Sequence, residues 1–155
     1  MPFQIHALPA EDFAALAGLD AEALSGRLAQ RQVVDSCPGV PCRVSLEDAQ
    51  PGETVYLLNF AHQDTATPFR ASHAIFVREG AATAHPAAGE VPLMIRRRII
   101  SLRAFDANGM MIEADVTEGE NVAARIEALF GNPSTEVIHL HFAKQGCFAA
   151  RVSRA

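Results

Sequence analysis

The residues best suited to chemistry lie near the end of the chain, in Val137-Ile-His-Leu-His-Phe142 and, after a short break, Cys147-Phe-Ala-Ala-Arg-Val152. The two apolar-rich runs flank Lys144-Gln145-Gly146, and a three-residue loop ending in glycine signals a hairpin closed by a residue at positive φ. Placing Ala143 opposite Cys147 pairs Phe142 with Phe148, Leu140 with Ala150 and Ile138 with Val152 on an apolar face. The other face then pairs His141 with Ala149 and His139 with Arg151, with Cys147 diagonal to His141. A slip of one residue mixes the two sets, so this register is expected.

His139 and His141 leave one face because strand side chains alternate. That spacing can chelate a metal ion if His62, His73 or Cys147 supplies a third ligand. Arg151 opposite His139 argues against it, since a fixed cation repels a divalent ion, and no carboxylate lies nearby in sequence. No metal is therefore expected. An anion fits better, because an arginine fork matches a carboxylate or phosphate and histidines add donors. Arg151 and His139 would hold it with Lys144, Arg70 and His73, and the polar loop of residues 61–70, with His62 and Asn59, would close over it. A second reading makes Cys147 a thiol nucleophile with His141 as its base and Asn59 as orienting group. A third makes the face a protein-interaction surface without a pocket. The expected function is binding of an anionic small molecule, with a thiol enzyme in the same pocket as runner-up. No Gly-rich phosphate loop, Gly-x-Ser-x-Gly elbow or His-Glu-x-x-His motif is present, so no cofactor is expected.

These residues need a scaffold. Phe3 and Ile5 alternate with polar residues as a first strand, Pro9 opens a helical turn that stops at Gly18, and Asp20 can cap a helix carrying Leu24 and Leu28. Residues 31–36 and 43–46 read as strands around the rigid loop Cys37-Pro-Gly-Val-Pro-Cys42. Residues 54–60 and 71–77 read as further strands, and residues 80–92 as a long irregular connection. A helical turn at residues 93–98 precedes a second hairpin around Ala107-Asn108-Gly109. The same turn logic pairs Ile100 with Val116, Leu102 with Ala114 and Ala104 with Ile112 on the core face, and Arg103 with Glu113 as an outer ion pair. Thr117-Glu-Gly-Glu120 reads as a capping box opening a helix with Val122, Ile126, Leu129 and Phe130 on one stripe, ended by Gly131 and Pro133. Strands gathered in hairpins with few helices predict a single α+β domain over residues 1–155, a mostly antiparallel sheet with a few covering helices.

The bulk properties narrow the function classes. With 155 residues, 49% hydrophobic and 20% charged, the chain is long enough for a substantial core and is not disordered. A formal charge of −5 opposes nonspecific nucleic-acid or anionic-membrane binding. Arg96-Arg97-Arg98 then reads as a solvated edge or as partners for Glu113 and Asp115. No apolar run is long enough to span a membrane, and the first residues lack the features of a signal peptide. Three cysteines, none in a Cys-x-x-Cys pair, predict reduced thiols and a cytoplasmic setting. The oligomeric state is not legible.

Several segments also match a known family in order and spacing. They are Pro41-Cys-Arg-Val-Ser-Leu-Glu-Asp-Ala49, Pro51-Gly-Glu53, Leu57-Leu-Asn59 with His62, Ser72-His-Ala-Ile-Phe-Val-Arg-Glu79, Leu102-Arg-Ala-Phe-Asp106 and Gly146-Cys-Phe-Ala-Ala-Arg151. On these the chain resembles the bacterial domain-of-unknown-function family 1203 along nearly its whole length. The resemblance implies a small bacterial protein and brings no activity with it.

Overall fold

A computed structural model describes residues 2–155. Its strands are β1 (Phe3–His6), β2 (Ala29–Val33), β3 (Thr54–Gln63), β4 (Ala71–Arg78), β5 (Ile99–Phe105), β6 (Met111–Glu118), β7 (Val137–Phe142) and β8 (Phe148–Arg154). The α-helices are α1 (Ala21–Gly26), α2 (Leu93–Arg96) and α3 (Val122–Phe130), with three short 3-10 turns. The strands form two antiparallel sheets, ordered β1-β8-β7-β5-β6 and β2-β3-β4, so the fold is α+β and dominated by sheet. Among the described residues no helix is long and apolar enough to cross a membrane.

The chain divides into two compact units, residues 2–6, 61–73 and 85–155 in the first and residues 7–60 and 74–84 in the second. In the second unit, Asp20 caps α1 as expected, its carboxylate accepting from the Ala23 N–H at 2.8 Å. Leu16, Leu24, Ala29 and Tyr56 form one small core there, and Val34, Ala49 and Val55 another. The strand expected at residues 43–46 is a turn instead. The Leu46 N–H donates to the Cys42 carbonyl at 3.0 Å, and Leu46 adopts φ 55°, which no strand tolerates.

The first unit is built on the five-stranded sheet. Ile100, Leu102 and Ala104 of β5, Ile138 and Leu140 of β7, and Ala150 and Val152 of β8 are all buried, and alternation puts them on one face. Helix α3 lies on that side. Asp115, the register partner of Leu102, reaches Arg125 of α3 at 3.3 Å. The helix buries Val122, Ile126, Leu129 and Phe130, the stripe read from sequence. Its start differs from the expected capping box. β6 continues through Glu118, and the Gly119 N–H donates to the Arg98 carbonyl at 2.8 Å. Gly119 sits so close to the Ile95 carbonyl that any Cβ would overlap it, so Thr117 stays in the ladder opposite Ile100.

Both hairpins carry a β-bulge that the apolar pattern did not disclose. At the first, Phe105 pairs with Met111, but Ile112 is skipped and Ala104 pairs with Glu113, so every expected pair is shifted by one. The expected partners Ala114, Ile112 and Val116 are therefore off the core face, and Arg103 faces Ala114 instead of Glu113. At the second, Ile138↔Val152, His139↔Arg151 and Leu140↔Ala150 hold as read, but His141 pairs with Phe148 and Ala149 is the extra residue. The loop is four residues, 143–146, because the Phe142 N–H donates to the Cys147 carbonyl at 2.9 Å and the Gly146 N–H to the Phe142 carbonyl at 2.7 Å. Gly109 and Gly146 do supply the positive φ expected of them, 79° and 83°.

Candidate functional site

The face of the sheet opposite α3 is set by two parallel rows of partners. One row runs Arg103 (β5), His139 (β7), Arg151 (β8) and His6 (β1), each directly beside the next. The other runs Ser101 (β5), His141 (β7) and Phe148 (β8). Alternation along β5 and β7 dictates these neighbours once Ile100, Leu102, Ile138 and Leu140 are committed to the core. The bulge at Ala149 adds the last member, since without it Phe148 would face the core.

His62, near the end of β3, completes the cluster. Its ring centroid lies 4.8 Å from that of His141 and 6.3 Å from that of His139, edge-on to both. It stacks on Phe148 at 6.0 Å with an interplanar angle of 6°. Phe105 approaches His139 at 4.8 Å, so aromatic rings wall the histidines in. One ring nitrogen from each of His62, His139 and His141 lies within 4.8 Å of the others.

Burial decides the protonation state. Desolvation is the leading cause in each case, lowering His62 and His139 to about 4 and His141 to about 3. Arg103 adds repulsion at all three, joined at His62 by His73 and at His139 by Arg151. The imidazoles are thus neutral at pH 7 and keep a lone pair each. At His141 the tautomer follows from geometry: Nδ1 lies 3.0 Å from the Gly146 carbonyl oxygen, so Nδ1 carries the proton and donates it, and Nε2 holds the lone pair. That Nε2, with His62 Nδ1 and His139 Nδ1, is buried without a hydrogen-bond partner.

The remaining residues singled out in the sequence fall elsewhere. Arg151 is exposed beside His139, and Lys144 is exposed in the hairpin loop. Arg70 is exposed and ion-paired to Asp64 at 3.4 Å. Cys147 is buried across from Phe142, a position whose side chain leaves the face opposite to His141. All three cysteines are thiols. Asn59 belongs to the second unit, where it helps line an open concavity of about 340 Å³ with Ser25, Leu28 and Gln30. Sequence reasoning missed Arg103, Phe105 and Phe148. Arg103 looked committed to Glu113, and its place beside His139 comes from the pairing of β5 with β7, two hairpins that nothing in the sequence joins.

The sequence profile of the family described as "Protein of unknown function (DUF1203)" matches residues 39–154. The chain belongs to this family. The matched region includes His62, Arg103, His139, His141 and Arg151. No curated protein and no solved structure matches the chain.

Proposed function

We propose that this DUF1203 protein binds a divalent transition metal through His62, His139 and His141, with one coordination position left for a further ligand. The observation that carries the reading is the convergence of three neutral imidazoles, each with a buried ring nitrogen that makes no hydrogen bond. Such a nitrogen costs about 1–3 kcal/mol in an apolar interior, and a face meant only for packing would use Leu or Phe instead. Imidazole suits zinc and its neighbours, and three protein ligands with an open fourth position is the arrangement of catalytic zinc sites. The hydrogen bond from His141 Nδ1 to the Gly146 carbonyl is the outer contact that fixes a ligating ring. Tetrahedral ligands at about 2.0–2.1 Å from zinc lie about 3.4 Å apart, so closing from 4.8 Å moves each nitrogen by about 0.8 Å at most.

The reading departs from the sequence expectation, which set a metal aside because of Arg151. That arginine does occupy the position beside His139, but it is exposed and its field is screened by water and salt. The test is titration of chelator-treated protein with zinc, followed by calorimetry and by thermal stability. The wild type should take up one equivalent and melt at a higher temperature. His62→Ala, His139→Ala and His141→Ala should each lose both effects. Zinc uptake that survives in all three variants would refute the proposal.

A further inference from the structure

Two cations stand beside the three histidines, and among the described residues nothing negative does. Arg103 and Arg151 flank His139 on one face of the sheet, from the strands on either side of β7. Neither has a carboxylate within ion-pair distance. The charges that bear on the three rings come only from these arginines and from other histidines. Arg103 is half-buried, and its one hydrogen bond is from Nε to Ser101 Oγ, a long 3.4 Å. A partly desolvated guanidinium without a counter-ion is unfavourable unless something arrives to meet it.

Resting on the metal reading above, we infer that the open position takes an oxyanion, a carboxylate or a phosphate, with one oxygen on the metal and another accepting from Arg103. The charge balance favours it. A divalent ion on three neutral imidazoles between two guanidiniums gathers positive charge with no negative ligand to offset it. A neutral substrate would leave that imbalance in place, whereas an oxyanion reduces it and satisfies the idle N–H groups of Arg103. The planar guanidinium fork also matches the spacing of two oxygens on one carbon or phosphorus. Arg103 is the main partner because it is the more buried of the two. Arg151 is exposed and acts at longer range through solvent.

Arg103 would therefore oppose metal binding and favour anion binding, and this gives a signature that mere structural support lacks. Cobalt(II) is the probe, since its visible spectrum reports the ligands of a tetrahedral site. Chelator-treated wild type, Arg103→Gln, Arg103→Lys and Arg151→Gln are loaded with cobalt, then titrated with acetate and, separately, inorganic phosphate. The wild-type band should move with at least one of these anions. A response to acetate alone assigns a carboxylate, and a response to phosphate alone a phosphate. Arg103→Gln should weaken the anion by roughly tenfold or more while tightening cobalt several-fold. Arg103→Lys, which keeps the charge and loses the fork, should leave cobalt affinity unchanged and weaken the anion by a smaller factor. Arg151→Gln should change anion affinity less than threefold.

Cobalt binding with no response to either anion would overturn this inference and leave the metal reading standing. An anion affinity equal in wild type and Arg103→Gln would do the same. Failure of the wild type to bind cobalt would overturn both. Arg103→Gln losing cobalt and anion together would mark Arg103 as structural and sink the oxyanion assignment.

Discussion

Replacing His139 with leucine should make the metal-free protein more stable while removing one of the three proposed metal ligands. His139 is 6% exposed, and its Nδ1 has no partner, so the ring contributes an unsatisfied polar atom to the interior. Removing that atom is worth about 1–3 kcal/mol. Leucine is close in volume, and repacking should take back less than about 1.5 kcal/mol. The net gain at pH 7.5 is then about 1 kcal/mol. The difference must widen in acid. The folded-state pKa of His139 is lowered from 6.5 to about 4, so between these values the unfolded chain takes a proton that the native ring refuses. Native stability is thus whole above pH 6.5 and is lost as pH falls toward 4. At pH 5 the loss from this one ring is about 2 kcal/mol, and the leucine variant escapes it. The assay is urea unfolding of both proteins in chelator at pH 7.5 and pH 5, with midpoints compared at equal slope. A variant less stable than wild type by more than 1 kcal/mol, with a pH dependence parallel to it, would show that the ring is satisfied and structural. The case for a metal would then lose its footing.

Two further substitutions separate scaffold from site. Arg154 donates to the carbonyls of Phe130 and Asn132 at 3.0 and 3.2 Å and to that of Thr135, and its guanidinium lies 4.7 Å from the Phe130 ring centroid. Arg154→Ala should lower stability by about 2–3 kcal/mol in thermal or urea unfolding and leave cobalt affinity within twofold of wild type. Gly109 holds φ 79° in the β5–β6 turn, a Cβ there would lie 2.8 Å from Thr65, and its carbonyl accepts from Thr67 Oγ1 at 3.3 Å. Gly109→Ala should cost about 2 kcal/mol and weaken cobalt binding several-fold, because Thr65, which it displaces, lies three residues after His62; unchanged cobalt affinity would refute that link.

The alternation of apolar residues carried most of the sheet. Ile138, Leu140 and Val152 could face only the core, and that alone placed His139 and His141 together and Arg151 beside His139. The glycines at 109 and 146 marked both turns for the same kind of reason, since only a residue tolerant of positive φ closes such a loop. The two bulges were not legible. A bulge adds one residue to one strand, and a run such as Phe148-Ala149-Ala150 reads equally well with either alanine skipped. The turn at Leu46 was hidden because Arg43-Val-Ser-Leu46 alternates like a strand, while a hydrogen bond back to Cys42 curls it. The approach of His62 to His139 and His141 is a tertiary fact. In sequence it stood only as one of several histidines that could serve as a third ligand.

The bulges are what turn a two-faced hairpin into a site. With the unbroken registers, His141 would sit beside Ala149, Arg103 would pair with Glu113, and Phe148 would belong to the core. His141 would then lack its aromatic neighbour on β8, and Arg103 would face a carboxylate. Skipping Ala149 brings Phe148 beside His141 and under His62, where it excludes water from the imidazoles. Skipping Ile112 leaves Ala114 opposite Arg103, removing the carboxylate that would have occupied it. The same two irregularities therefore dry the nitrogens and leave Arg103 unpaired among the described residues. Each change is unfavourable taken alone. Together they suit a metal ion that brings its own charge and an oxyanion that balances it, which is why the site is better explained by a ligand than by the stability of the fold.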